Sequence, residues 1–184
     1  MAIMTYQCRV DFAVIFGLVV EVFGWNLHNG GLVTHSWSVS GLVSRGVMQN
    51  CFLDLCTSIP LSAMSSYHIK VLFMVLTANV WVIGAMLLAF YDIYKGYRLQ
   101  EQNKFIPWIC GALSILGCAF IVIGDVFWVG KIHRDLRLSN RNFKLDYSFI
   151  MTAVAAFLYL LSGLLFLSSQ REDSPKPLRQ RIIA

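Results

Sequence analysis

The chain has 184 residues, 57% of them hydrophobic and 14% charged, with a formal net charge of +5. A water-soluble domain carries about 25% charged residues, and here the deficit is concentrated in long stretches with no charge at all, which fits lipid contact and not a water-soluble fold. The basic residues are divided between loops and the C-terminal tail, without an Arg/Lys stripe interleaved with aromatics, which argues against a nucleic-acid partner.

The first apolar segment covers residues 8–25. Asp11 precedes its most apolar part and Glu21 interrupts it, but Val22, Phe23 and Trp25 carry it to spanning length. Arg9 ahead of an apolar run also suits a signal peptide; no small-x-small cleavage site follows, so the segment is read as an uncleaved helix. A long loop, 26–69, comes next. Within it, 32–39 includes an alternating run of β-branched and aromatic residues, and 42–51 reads similarly with Gly41 and Gly46 as breakers, so short antiparallel strands are expected. The second span is 70–91, followed by a short connection, 92–104. The third span is 105–130, the second loop 131–147, the fourth span 148–169 and the tail 170–184. Stretches 71–91, 105–124 and 148–170 hold no charged residue. A helix of about 20 apolar residues crosses ~30 Å of hydrocarbon, and in lipid the backbone must satisfy its own hydrogen bonds, so helices are expected.

Four spans put both termini on one side. Lys and Arg do not orient the chain: the terminal side holds Arg9, Lys95, Arg98, Lys104, Arg171, Lys176, Arg179 and Arg181, the other Arg45, Lys70, Lys131, Arg134, Arg137, Arg141 and Lys144. Orientation therefore rests on cysteine. Cys110 and Cys118 lie inside the third span and read as packing residues; Cys8 reads as a buried thiol or an acylation site. Cys51 and Cys56 are the one pair in a loop. Their spacing is wrong for a redox CxxC, and His28, His35 and His68 show no zinc-ligand spacing around them. A disulfide stapling two adjacent strands is expected, and the oxidising setting it needs puts the long loop outside the cell.

Two acids, Glu21 and Asp125, lie near the outer ends of spans, where an unpaired carboxylate is costly. Lys70, Lys131 and Arg134 are candidate partners, so the five are expected to form a polar cluster holding the sheet on the helices; a water-facing ion pathway is the rival reading. Small residues (Gly84, Ala85, Gly111, Ala112, Gly117, Ala153, Ala155, Ala156 and Gly163) recur in the spans and favour close helix approach. No Ser–His–Asp set, HExxH or phosphate-binding glycine loop is present, so no enzyme, metal or cofactor is expected. The tail sets Arg171, Lys176, Arg179 and Arg181 against Glu172 and Asp173, which suits weak attraction to lipid headgroups or a solvated tail.

Several landmarks occur together. Trp25 stands at the end of the first span. Gly46, Val47, Met48, Gln49, Asn50 and Cys51 have the G-L-W-x-x-C spacing, Cys56 follows, and Lys70 opens the second span. Trp128 precedes Ile132, His133, Arg134 and Asp135, and Phe143 and Tyr147 lead into the fourth span. The set resembles the claudins and their relatives, the peripheral myelin and epithelial membrane proteins, with their W…GLW…C…C signature. Val47 and Met48 depart from the usual Leu and Trp, only four residues separate the cysteines, and Ile182, Ile183 and Ala184 replace the usual Tyr-Val ending. The resemblance implies an all-α transmembrane four-helix bundle, left-handed, whose two outer loops form a small extracellular antiparallel β-sheet. It also implies a plasma-membrane protein of cell–cell junctions, of tight or septate type, with both termini cytoplasmic. Self-association, or association with other claudin-like proteins in cis and trans, would give adhesion and a paracellular barrier, with membrane lipids as further partners. Trp37, Leu42 and Val43 in the first loop and Leu136 and Leu138 in the second are the expected contact residues. The same superfamily contains auxiliary subunits of calcium channels and glutamate receptors, so a regulatory subunit of a membrane channel is the alternative.

Overall fold

The structure, a computed structural model, describes residues 12–53, 55–99, 105–139 and 144–169. Expectations for Cys8, Phe143 and residues 170–184 lie outside these, as do those for the side chains of Asp135, Leu136 and Leu138.

Four helices dominate: α1 (Phe12–Val33), α2 (Ser66–Leu99), α3 (Phe105–Ser139) and α4 (Tyr147–Ser168). Each is long and apolar enough to cross a membrane, which points to a multi-pass membrane protein. Their packing has the polarity that lipid selects. Small or polar side chains share the interior with a few large ones: Ala78, Ala85, Ala155, Ala156, Ser114 and Ser162 are all buried, beside Ile121, Tyr159 and Phe166. Other large apolar ones (Phe16, Phe23, Phe73, Val80, Leu87, Phe157) face outward. In water that exposure would be unfavourable; in hydrocarbon, association depends on close backbone approach instead. The α3–α4 crossing shows it. A Cβ on Gly163 would lie 3.0 Å from the Gly111 carbonyl oxygen, and one on Gly111 would lie 2.9 Å from that of Gly163.

Five short strands form one antiparallel sheet: β1 (Ser38–Ser40), β2 (Val43–Arg45), β3 (Gln49–Phe52), β4 (Leu55–Ser58) and β5 (Lys144–Leu145), in the order β4-β3-β2-β1-β5. The first four join α1 to α2, whereas β5 lies between α3 and α4. The pairing of Ser38 with Leu145 and Val39 with Lys144 therefore draws both connections together at one end of the bundle.

Three boundaries differ from the sequence reading. Helix α1 does not stop near residue 25 but runs to Val33, taking Leu32 and Val33 from the expected strand. The polar residues Asn26, His28 and Asn29 find partners within the bundle or on the helix backbone. The helix ends where Thr34 Oγ1 donates to the Gly30 carbonyl at 2.8 Å and Trp37 Nε1 to that of Gly31 at 2.7 Å, satisfying carbonyls a terminus would otherwise leave open. Helix α3 likewise continues past 130 to Ser139. The expected strand 42–51 divides at Gly46 and Val47 into β2 and β3.

Candidate interaction surface at the sheet end

Trp37 seats the sheet on the helices. It is fully buried, its ring edge-on to Trp128 at 5.3 Å and to Phe149 at 6.1 Å. Its backbone N–H donates to the Arg45 carbonyl, and its own carbonyl accepts from Asp146. Leu32, Val47, Val71, Val75 and Ile132 complete the cluster around it. At Gly46 the chain passes so close to residues 34 and 35 that an added Cβ would lie 2.8 Å from the Thr34 oxygen and the His35 Cα. The glycine of the landmark motif thus has a packing reason, and Val47 in the motif's Leu position fills the core.

Beyond this anchor the sheet presents a different surface. Cys51 and Cys56 are opposite one another on β3 and β4, 4.0 Å apart at Cα, and are joined by the expected disulfide. His35 lies beside them, with its ring nitrogen and the two sulfurs within 4.8 Å of one another; bonded together, the sulfurs offer no thiolate to a metal. The hairpin they close carries Phe52, Leu53 and Leu55. Leu53 takes a left-handed backbone (φ 48°), and its N–H donates to the Leu42 carbonyl at 3.1 Å, bringing the two turn tips together. Leu42, Phe52, Leu53 and Leu55 are each more than half exposed. Strand β4 forms the sheet's outer edge, and all four of its residues are exposed.

The expected contact residues therefore separate. Leu42 is exposed at the tip and Val43 half-buried, but Trp37 belongs to the core. Trp25, expected at the end of the first span, lies well inside α1, half-buried against the helix core.

The expected polar cluster also divides. Glu21 is fully buried in mid-helix, where Ser114 of α3 donates to it at 2.8 Å and Ser162 of α4 makes a closer contact. Twelve more residues of α1 follow it, or about 18 Å of helix, which puts it out of reach of the sheet end. Asp125 accepts from Thr152 of α4 at 3.3 Å. The cations find aromatic and imidazole partners instead. Lys131 Nζ lies 2.9 Å from His68 Nε2 and 4.6 Å from the Trp128 ring centre. Lys70 sits over Tyr67 and Phe127, and Arg134 over Tyr67. Among the described residues, hydroxyl groups hold the two acids and no cation pairs with either.

Sequence reasoning missed three interior contacts: Glu21 with Ser114 and Ser162, His28 with Tyr159 at 3.2 Å, and the Asn29–Asn79 amide pair at 3.3 Å. Their one sequence signal is a polar side chain placed singly in an apolar span. No protein-family model matches the chain and no curated protein is similar to it, so the resemblance to claudins rests on the landmark residues themselves.

Proposed function

We propose that the protein is a claudin-like component of cell–cell junctions, giving adhesion and a paracellular barrier through self-association of its sheet end outside the cell. The observation that carries the reading is the uncovered apolar tip of Leu42, Phe52, Leu53 and Leu55 beside the open edge β4. An open strand edge next to exposed apolar residues is a ready template for another chain. Copies in one membrane associate side by side, and copies across the gap meet tip to tip. In this reading the bundle is left-handed, as the claudin resemblance implies, and both termini are cytoplasmic. The interior of the first loop carries only Arg45 and Asp54 as charges, few and nearly balanced, so the assembly seals more than it selects by charge. No reaction and no cofactor are assigned.

The test is expression of tagged protein in contacting cells that lack it. Enrichment where two expressing cells meet, abolished by Leu55→Lys with Phe52→Ser while surface delivery persists, is expected. In an epithelial layer, resistance should rise. Diffuse surface distribution with a co-purifying channel would overturn the barrier reading in favour of an auxiliary subunit, and a large cation-selective fall in resistance would contradict the seal.

A further inference from the structure

A cleft of about 300 Å³ opens between α3 and α4. Val122, Val126 and Val129 form its α3 wall, spaced four and three residues apart and so on one stripe about 10 Å long. Ala153 and Ala156 form the α4 wall, together with Phe149, whose ring also meets Trp37 of the sheet. Val122, Val126 and Ala153 are exposed, which in a membrane-spanning bundle means open to lipid. The polar member of the lining is Asp125, only 8% exposed.

Asp125 is poorly provided for by the chain. Its hydrogen bond comes from Thr152 Oγ1 at 3.3 Å, and the same hydroxyl lies 2.8 Å from the Phe149 carbonyl oxygen. A hydroxyl has one proton to give, and the carbonyl is the nearer acceptor. A carboxyl group beside hydrocarbon is thus left with a contested donor, in a setting where a missing partner is costly. The cleft can admit a better one. An ammonium would bring a second charge out of water, with a desolvation cost that pairing need not return. A hydroxyl brings no charge. It donates to the carboxylate or accepts from the carboxylic acid, so it suits either protonation state. The walls narrow the rest of the ligand. Valine in a helix is nearly fixed at χ1 and alanine has no rotamers, so the apolar walls are stiff. A rigid apolar body loses little freedom against them, whereas a flexible chain has to be ordered. The volume stands at the small end of ligand pockets, so such a body is held on one side and keeps its other side in lipid.

We infer that this cleft binds a membrane-dissolved alcohol of the sterol class, with its ring system against Val122, Val126 and Ala153 and its hydroxyl on Asp125. The inference stands independently of the junctional reading, since it concerns the lipid-facing side of α3 and α4 and not the apolar tip of the sheet.

The experiment uses the full chain in sterol-free phosphatidylcholine nanodiscs. Four probes are titrated: cholesterol, cholesteryl methyl ether (the same rings without the donor), oleyl alcohol (a hydroxyl on a flexible chain) and octadecylamine. The readouts are thermal unfolding and labelling by a diazirine-bearing cholesterol, located by peptide mass spectrometry. A saturable stabilisation by cholesterol is expected, with label on residues of the cleft and binding about tenfold tighter than that of the methyl ether, the scale of one hydrogen bond. Asp125→Leu should erase the difference between the two sterols. Ala153→Phe, which fills the cleft from an exposed position, should abolish saturation; Leu164→Phe, on exposed α4 outside the lining, should not. If Asp125→Leu does not fold, the contrast between the two Phe variants decides. Equal response of the native chain to both sterols, equal effects of the two Phe variants, or a response to oleyl alcohol or octadecylamine as tight as that to cholesterol overturns the inference. So does a dimer that Ala153→Phe breaks with no response to sterol, which would assign the cleft to a second copy of the chain.

Discussion

At residue 37 an indole is enclosed by Trp128, Phe149 and Val47 while its Nε1 reaches a carbonyl at the end of α1. Truncation there removes both the packing and the link between sheet and helix. Trp37→Ala should cost about 3–5 kcal/mol, the usual toll of emptying a buried aromatic site, and Trp37→Phe less, because a ring remains. Thermal unfolding in detergent would read the order; equal, small effects would mean that the sheet is held elsewhere. Alternation in 32–39 could place Trp37 on one face of a strand, but only the position of the helix ends decides whether that face meets the bundle or the solvent. Glu21 teaches a related point. Its partners are hydroxyls, not cations, so Glu21→Gln keeps hydrogen-bonding capacity and shape. It should unfold within about 1 kcal/mol of wild type, whereas Glu21→Ala, which leaves a cavity, should be clearly destabilised. Unfolding midpoints of the two variants check this, and a Gln variant as unstable as the Ala variant would point to an unrecognised charged partner.

Among the elements, three of the four spans are legible because their uncharged runs are long enough to cross the hydrocarbon and nothing else in the chain is. The Cys51–Cys56 staple is legible because a lone loop pair in a lipid-facing chain has few other uses. Helix ends are less so. Residues 26–31 contain Asn26, His28, Asn29, Gly30 and Gly31, a composition that reads as loop, yet they are helical because α2 and α4 supply Asn79 and Tyr159 as partners. That is tertiary information. The misplacement of the polar cluster follows directly: with α1 taken to end at 25, Glu21 belongs near the sheet, and with its end at Val33 it lies in mid-span. The small-residue signal is right at particular positions. Gly111 and Gly163 let α3 and α4 touch through their backbones, whereas Ala112 and Ala153 face outward. Gly163→Val should therefore overpack the crossing, at a cost of about 1–3 kcal/mol. Gly84→Ala, where the nearest side chain is 3.7 Å from an added Cβ, should be near neutral. Unfolding temperatures of the pair measure the contrast; comparable values would mean that the α3–α4 approach is not tight.

For the molecule as a whole, α2 and α3 are the longest parts, 34 and 35 residues, or about 50 Å each, against ~30 Å of hydrocarbon. They extend beyond the lipid and, at one end, meet the sheet through Trp128, Val71 and Ile132. The bundle buries small residues together with Ile121, Tyr159 and Phe166 and turns many other large apolar side chains outward, and the sheet packs Trp37 and Val47 inward while leaving Leu42 and the hairpin tip exposed. Anchor and exposed tip thus occupy opposite parts of one small sheet, the arrangement that the proposed self-association needs. The proposal depends on that sheet standing outside the cell with its cysteines joined. Intact expressing cells treated with a membrane-impermeant maleimide, before and after an impermeant reductant, test it directly, with Cys51 and Cys56 read by peptide mass spectrometry. The account predicts no modification of either cysteine before reduction and modification of both after it. Modification without reduction, or only after the cells are permeabilised, would contradict it.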